Sequence, residues 1–260
     1  MTRSSKSVPA KIYGVSSRFS LLLTASLLLF ASPAARAFTL TPIRMDFAPG
    51  GSGAEQSFHL ENNSSNTVAV EVSMLIRQMD LDGKETNTPA EDDFLVYPPQ
   101  VVLKPNQVQT VRVKWLGARK PEKELAYRIL AEQLPVKMEK EKPGHSRINV
   151  LLRYLGSVYI VPKGAKADVI LESAARHADA AGKPQIELIF LNQGTAHSLL
   201  SDLHLKVEAG DKTVELGPEA LANIAGQNIL AGQKRRIRLA WPEGLPDGPL
   251  RVTCNFTRHP

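Results

Sequence analysis

The chain of 260 residues has one cysteine, Cys254, so no internal disulfide can form and packing alone has to stabilise the fold. The six histidines are scattered without metal-ligand spacing, and Cys254 has no second cysteine as a zinc partner. Residues 50–53, GGSG, lack the spacing of a phosphate loop, a dinucleotide fingerprint or a nucleophile elbow. The sequence therefore predicts no metal, no cofactor and no catalytic residue, and it favours a binding protein over an enzyme.

Long apolar runs are also missing. The longest, FSLLLTASLLLFA at residues 19–31, is shorter than the roughly 20 residues of a membrane-spanning helix. It follows several basic residues and precedes the small-residue sequence Ala35-Arg36-Ala37, which is typical of a secretory signal peptide. The sequence predicts a signal peptide at residues 1–37, export of a chain that begins at Phe38, and no membrane insertion after cleavage.

An excess of positive charge is present only in the predicted signal peptide. The formal net charge is +6, but five basic residues and no acidic residue precede Phe38. The remainder carries about +1, and the sequence therefore predicts no nucleic-acid partner.

Short alternations of apolar and polar residues, separated by turns rich in Gly, Pro, Asn and Asp, fill the rest of the chain. The predicted strands cover residues 38–47, 56–61, 67–78, 94–97 with 101–103, 107–116, 125–136 and 148–161, then 168–173, 185–192, 203–209, 212–216, 234–239 and 251–257. Seven strands before residues 162–166 are typical of an immunoglobulin-like sandwich.

The prediction is an all-β fold of two immunoglobulin-like β-sandwich domains, residues 38–162 and 163–260, set at an angle in a boomerang shape. Two charged segments, residues 80–93 and 137–147, are predicted as loops, and the second as poorly ordered in the free protein.

Five segments together resemble the periplasmic pilus-assembly chaperones, and one of them, residues 127–135, is similar to a family strand that ends at a proline. The opening FTLTPIRMDF places Arg44 before an apolar-x-aromatic stretch, and residues 95–113 contain a two-proline stretch followed by a turn and QTVRV. Residues 148–162, INVLLRYLGSVYIVP, are similar to the family's donor strand in length, position and closing proline. Residues 191–197, LNQGTAH, are similar to its N-x-G-x-x-H turn. The resemblance covers most of the mature chain.

The resemblance implies a periplasmic chaperone that binds and stabilises pilus subunits by donor-strand complementation and delivers them to an outer-membrane usher. The implied donor-strand residues are Ile148, Val150, Leu152 and Tyr154, which share one face by the period of two. The pattern alone favours the alternative that these side chains fill the protein's own core, and the resemblance reverses that preference.

A permanently charged residue in an apolar strand calls for an anionic partner or an exposed face, and Arg44 is such a residue. The resemblance implies that Arg44 binds the subunit's terminal carboxylate, whereas a protective charge on an edge strand is the alternative. Ser157 stands where many members have a second anchoring lysine, and we expect Arg153 to supply that charge.

Two further positions bear on the contact between the domains. Glu124 matches one partner of the family's interdomain ion pair, but Val102 stands where the basic partner is expected, so the pair looks incomplete. Tyr127 and Arg128 lie on a strand that could line the cleft between the domains.

The alternative hypothesis is that the protein is a secreted immunoglobulin-like adhesin or structural binding protein without a chaperone role. A chaperone would be recovered one-to-one with subunits and would be absent from finished fibres, which separates the two hypotheses.

Overall fold

The computed structural model describes residues 38–135 and 150–259. The predicted signal peptide, the charged segment at residues 137–147 and the donor-strand residue Ile148 lie outside the described residues. Among the described residues, no helix has the length and the apolar character that crossing a membrane requires.

The first sandwich consists of ten strands in two sheets. The strands are β1 (Phe38–Thr41), β2 (Arg44–Phe47), β3 (Glu55–Asn62), β4 (Val68–Met79), β5 (Glu85–Pro89), β6 (Phe94–Tyr97), β7 (Gln100–Leu103), β8 (Val108–Trp115), β9 (Leu125–Leu134) and β10 (Arg153–Ile160). One sheet has the order β1-β3-β8-β6, and the other has the order β2-β10-β9-β4-β5, with β7 also paired to β4.

The opening segment, predicted as one strand, is divided between the two sheets. Strand β1 pairs antiparallel with β3, whereas β2 pairs in parallel with β10 in the opposite sheet. The break falls at Pro42, which has no N–H to donate to a strand ladder. The first strand therefore crosses from one sheet to the other and leaves β2 only four residues long.

Alternation along the strands directs one side of each sheet into a common core. Phe38, Phe58, Leu60, Ile129 and Ile160 are fully buried there. Burial of a side chain of this size contributes about 1.5–3 kcal/mol before the ordering cost. Because the core residues of β4 and β10 have even numbers, the odd-numbered side chains of these strands lie on the outward face of the second sheet.

The second sandwich has its own core and two sheets. Its strands are β11 (Val169–Ala178), β12 (Pro184–Asn192), β13 (Ser198–Ala209), β14 (Lys212–Leu216), β15 (Asn228–Ile229), β16 (Lys234–Ala240) and β17 (Leu250–His259). Their order is β11-β12-β16 in one sheet and β14-β13-β15 in the other, with β17 paired to β13. The all-β prediction with two sandwiches is confirmed, whereas the domain boundary at residues 162–163 stays a prediction.

Several predicted segments differ from the observed ones. The charged segment at residues 80–93 contains strand β5, which pairs with β4. In the described residues, the strand predicted at 148–161 begins at Arg153, and the one predicted at 168–173 extends to Ala178. Strand β13 begins at Ser198, five residues before its predicted start, and the sequence does not predict the two-residue strand β15. Strands β5 and β15 are polar or short, so their strand state depends on a partner strand that their own sequence does not specify.

One type of turn occurs in both sandwiches and is built around a fully buried asparagine. The Nδ2 atom of Asn62 donates to the carbonyls of Asn66 (2.8 Å) and Leu103 (3.0 Å). Asn192 likewise donates to Ala196 (2.7 Å) and Ile229 (3.0 Å). Each asparagine thus bonds two backbone carbonyls, one in its own turn and one on another strand.

We expect Asn192→Ala to lower the free energy of unfolding by about 2–4 kcal/mol, because two buried carbonyls and the N–H groups of Gly194 and Asp168 lose their partner. Urea denaturation is the measurement. The control is the exposed neighbour Gln193, whose replacement by alanine should change stability by less than about 0.5 kcal/mol. Equal losses in the two variants would contradict this role for Asn192.

Candidate functional site

Two arginines flank Ser157 on the outward face of the second sheet. Ser157 of β10 is in register with Arg44 of β2 on one side and with Arg128 of β9 on the other. Residues in register on neighbouring strands point to the same face of a sheet. The three side chains therefore form a row across three strands, which we call the basic row.

Arg128 brings its guanidinium to the place where the resemblance implies a lysine. Its Nη1 donates to Oγ of Ser157 at 2.6 Å, and its Nε and Nη2 donate to the carboxylate of Glu85 at 3.0 and 2.5 Å. The side chain is only 15% exposed. A cation is therefore present at Ser157, supplied by the neighbouring strand.

Arg44 is the more open member of the basic row. Its side chain is 37% exposed, its ion pair is with Asp46 at 3.4 Å, and its Cζ lies 5.4 Å from the centre of the Tyr159 ring. An ion pair this long and this exposed contributes little, so an incoming carboxylate can compete for the guanidinium.

The structure does not bring Arg153 to Arg44. Arg153 lies four residues before Ser157 on β10, a separation of about 13 Å along an extended strand. It is 58% exposed and pairs with Glu132 at 3.1 Å. The geometry therefore favours Arg128 over Arg153 as the second basic group. The reason is the register of β9 against β10, which the sequence does not reveal.

Glu85 and Arg77 adjoin the basic row. Arg77 is buried and donates to Oε1 of Glu85 at 2.5 Å and to Oη of Tyr159 at 3.0 Å. Burial alone would raise the pKa of the Glu85 carboxyl, but the hydrogen bonds and charges of Arg128 and Arg77 outweigh burial and hold the pKa below its usual range. Glu85 is therefore a carboxylate shared by two guanidinium groups.

The first half of β10 has a strand partner on one side only. The N–H of Ser157 donates to the carbonyl of Ile43 at 2.8 Å, on the side of β2. By the period of two, the backbone groups of Arg153 and Leu155 point to the same side, but β2 begins only at Arg44, opposite Ser157. Among the described residues, no strand pairs with this part of the edge, which is adjacent to the basic row.

The predicted donor-strand side chains fall into two groups. Val150 is 69% exposed and precedes the start of β10. Leu152 and Tyr154 are half-buried against the first core, and the Tyr154 ring meets the edge of Phe38 at 5.0 Å between ring centres. Leu152 and Tyr154 therefore belong in part to the protein's own core, which is the alternative that the sequence pattern allowed.

The family follows from a comparison with family models, because residues 37–166, half of the chain, match the PapD N-terminal domain of the pili and flagellar-assembly chaperones. The chain belongs to this family. Its members have a non-enzymatic chaperone role in the periplasm. No curated protein matched the sequence of this chain.

Solved structures share the fold of this chaperone at low sequence identity. A chain in the CsuC–CsuE chaperone–tip adhesion subunit complex of the archaic Csu pili of Acinetobacter baumannii is 15% identical, with a TM-score of 0.56 over 84% of this chain and 97% of that one. The class 5 fimbriae chaperone CfaA is 14% identical, with a TM-score of 0.51 over 85% and 99%. The chaperone YadV is 13% identical, with a TM-score of 0.50 over 85% and 92%. These similarities show that the fold is that of two immunoglobulin-like sandwiches.

The ion pair that looked incomplete in this chaperone has a different partner. Nδ1 of His197, in the second sandwich, lies 2.7 Å from Oε1 of Glu124, and both side chains are buried. Val102, where the basic partner was expected, is 64% exposed. His197 also stacks on Tyr159, with ring centres 3.9 Å apart, and Asn228 donates to Oη of Tyr159 at 2.7 Å. The histidine of the N-x-G-x-x-H segment therefore supplies the partner of Glu124 across the contact between the sandwiches.

The hairpin between β4 and β5 makes a second contact between the two sandwiches. Asp82 accepts two hydrogen bonds from the Arg236 guanidinium, at 2.7 and 2.6 Å, and the backbone N–H of Arg236 donates to the Leu81 carbonyl at 2.7 Å. Gly83 has a φ of +81°, and a Cβ there would overlap the Arg235 guanidinium. The hairpin therefore packs on strand β16 of the second sandwich.

We expect Asp82→Ala to increase hydrogen exchange at the Arg236 amide at least about fivefold without a clear change in melting temperature, because exposed ion pairs contribute little to global stability. Asp247→Ala is the control, since it removes a similar exposed pair with Arg176 inside the second sandwich. An Arg236 amide that stays equally protected in Asp82→Ala would show that the pair does not hold the hairpin.

Proposed function

We propose that this protein is an exported periplasmic chaperone that stabilises pilus subunits by donor-strand complementation and delivers them to an outer-membrane usher. The observation that carries the proposal is the unpaired half of the β10 edge beside the basic row. Membership of the pilus-assembly chaperones supports it, as does the likeness in fold to a structure described as a chaperone–tip adhesion subunit complex. The predicted signal peptide accounts for export.

The open edge suits a subunit that lacks one strand of its own sandwich. Such a subunit exposes unpaired backbone groups and an apolar groove, and it aggregates through them. The backbone N–H and C=O groups of Arg153 and Leu155 point to the side on which an added strand would pair. Val150, and in part Leu152, would then place apolar side chains in the groove.

The basic row suits the carboxylate at the end of the subunit chain. Arg44 offers the exposed guanidinium and Arg128 the more buried one, on either side of Ser157. A carboxylate held there would fix the register of the strand that pairs with β10. Register matters because a slip of one residue reverses which side chains enter the groove.

Arg44→Ala and Arg128→Ala should each reduce capture of subunits about tenfold or more, because a charge-assisted hydrogen bond contributes roughly 1.5–3 kcal/mol. The measurement is the yield of subunits that co-purify from the periplasm, identified by mass spectrometry, beside the thermal stability of each variant. Arg44→Lys should restore capture only in part, since an ammonium does not reproduce the two-pronged geometry.

Arg153→Ala tests the second anchor expected from the sequence. We expect normal capture, because Arg153 is exposed and remote from Arg44. A defect as large as that of Arg128→Ala would restore Arg153 as the second anchor. Normal capture by folded Arg44→Ala and Arg128→Ala proteins would refute the anchor as a whole.

Val150→Asp should also weaken capture by at least about tenfold, because an unpaired charge would have to enter an apolar groove. Its own stability should stay within about 0.5 kcal/mol of the parent, since Val150 is exposed in the free protein. Val102→Asp is the matched control, an equally exposed valine on strand β7. Equal capture by the two variants would exclude Val150 from the subunit interface.

A further inference from the structure

Glu85 is a carboxylate that already occupies the basic row. It lies at the start of β5, and its two oxygens accept hydrogen bonds from Nε and Nη2 of Arg128. This two-pronged arrangement is the one that an arginine makes with a carboxylate ligand. Within the described residues, Glu85 therefore stands where a second carboxylate would bind to Arg128.

The two oxygens of Glu85 have different partners. Oε2 is bonded to Arg128, whereas Oε1 is shared between Arg128 and the buried Arg77. Rotation of the carboxylate toward Arg77 would keep one charged partner for Glu85 and would free the guanidinium of Arg128. Departure of Glu85 from Arg128 therefore leaves neither Glu85 nor Arg77 without a counter-ion.

The local charge balance favours an additional anion. Arg44, Arg77 and Arg128 bring three positive charges to this face, against the carboxylates of Glu85 and Asp46. Arg235 of the second sandwich also interacts with Arg77, but Asp80, Asp82 and Glu85 oppose its charge. A ligand carboxylate would thus enter a region with an excess of one positive charge.

We propose that Glu85 is an internal competitor, which occupies Arg128 in the free protein and has to yield it to a ligand carboxylate. The inference rests on the proposed function, since it assumes that the basic row binds a carboxylate. Its consequence is specificity: a carboxylate alone displaces Glu85 only at high concentration, whereas a ligand that also pairs with the β10 edge displaces it at low concentration.

The test uses acetate as the probe and acetamide as its neutral control. The Nε–H signals of Arg44 and Arg128 are followed by nitrogen-15 NMR during titration of the full mature chain. Glu85→Gln should bind acetate at Arg128 about tenfold more tightly than the parent, since the competing charge is removed. Neither protein should respond to acetamide at Arg128.

Asp46→Asn is the matched control, because it removes one negative charge from the same face but from the partner of Arg44. It should change acetate binding at Arg128 by less than about threefold. If Asp46→Asn tightens acetate binding at Arg128 as much as Glu85→Gln does, the effect comes from net charge alone, and the proposal is overturned.

The parent protein provides a measurement that does not depend on how Glu85→Gln folds. Saturating acetate should shift the Arg128 Nε–H signal and the carboxyl carbon signal of Glu85 together, while the Glu85–Arg77 contact persists. If both of these signals stay unchanged at about one hundred times the acetate concentration that half-saturates Arg44, Glu85 is a permanent structural partner of Arg128 and the inference is wrong.

The outcome separates this inference from the proposed function. Loss of subunit capture in Arg128→Ala, together with unchanged acetate affinity in Glu85→Gln, would refute the competition and leave the anchor standing. Normal capture in both Arg44→Ala and Arg128→Ala would refute the anchor, whereas tighter acetate binding in Glu85→Gln would still establish that Glu85 blocks Arg128.

Discussion

The one-sided pairing of β10 is the constraint from which the candidate site follows. Strand β9 pairs with the whole of β10, but β2 pairs only with its second half, because the chain enters that sheet only after Pro42, coming from β1 in the other sheet. The point at which β2 begins places Arg44 beside Ser157. The same break thus creates both the open edge and the position of the exposed arginine next to it.

The contact between the two sandwiches contains a group of polar side chains, although each sandwich has an apolar core of its own. Glu124 and His197 lie at hydrogen-bond distance, His197 stacks on Tyr159, and Asn228 donates to Oη of Tyr159. Such a contact adds little net stability, because desolvation of polar groups offsets most of their attraction. These hydrogen bonds and the ring stacking nevertheless require a defined geometry between the groups. The hairpin, through Asp82 and Arg236, makes a further contact between the sandwiches.

The basic row differs from the pattern implied by the resemblance in the strand that supplies its second cation. A lysine on β10 would carry its own charge to the row, whereas Arg128 reaches Ser157 from β9 and is oriented by Glu85. An arginine offers a planar set of donors that can hold two acceptors at once. This arrangement connects the row to Arg77 and hence to Tyr159 at the contact between the sandwiches.

The sequence by itself determined the all-β class, the two sandwiches, most strand positions and the family resemblance, because apolar alternation and turn residues act over a few neighbouring positions. It also identified Arg44, whose charge is conspicuous in an apolar strand. It pointed to Arg153 as the second basic group, whereas the register of β9 against β10 brings Arg128 to Ser157. The partner of Glu124, the strand β5 and the role of Glu85 likewise depend on residues distant in sequence. Only the tertiary structure decided these features. Contacts across strands and between sandwiches join segments that are far apart in the chain, and neither segment alone carries a periodic pattern that indicates its partner.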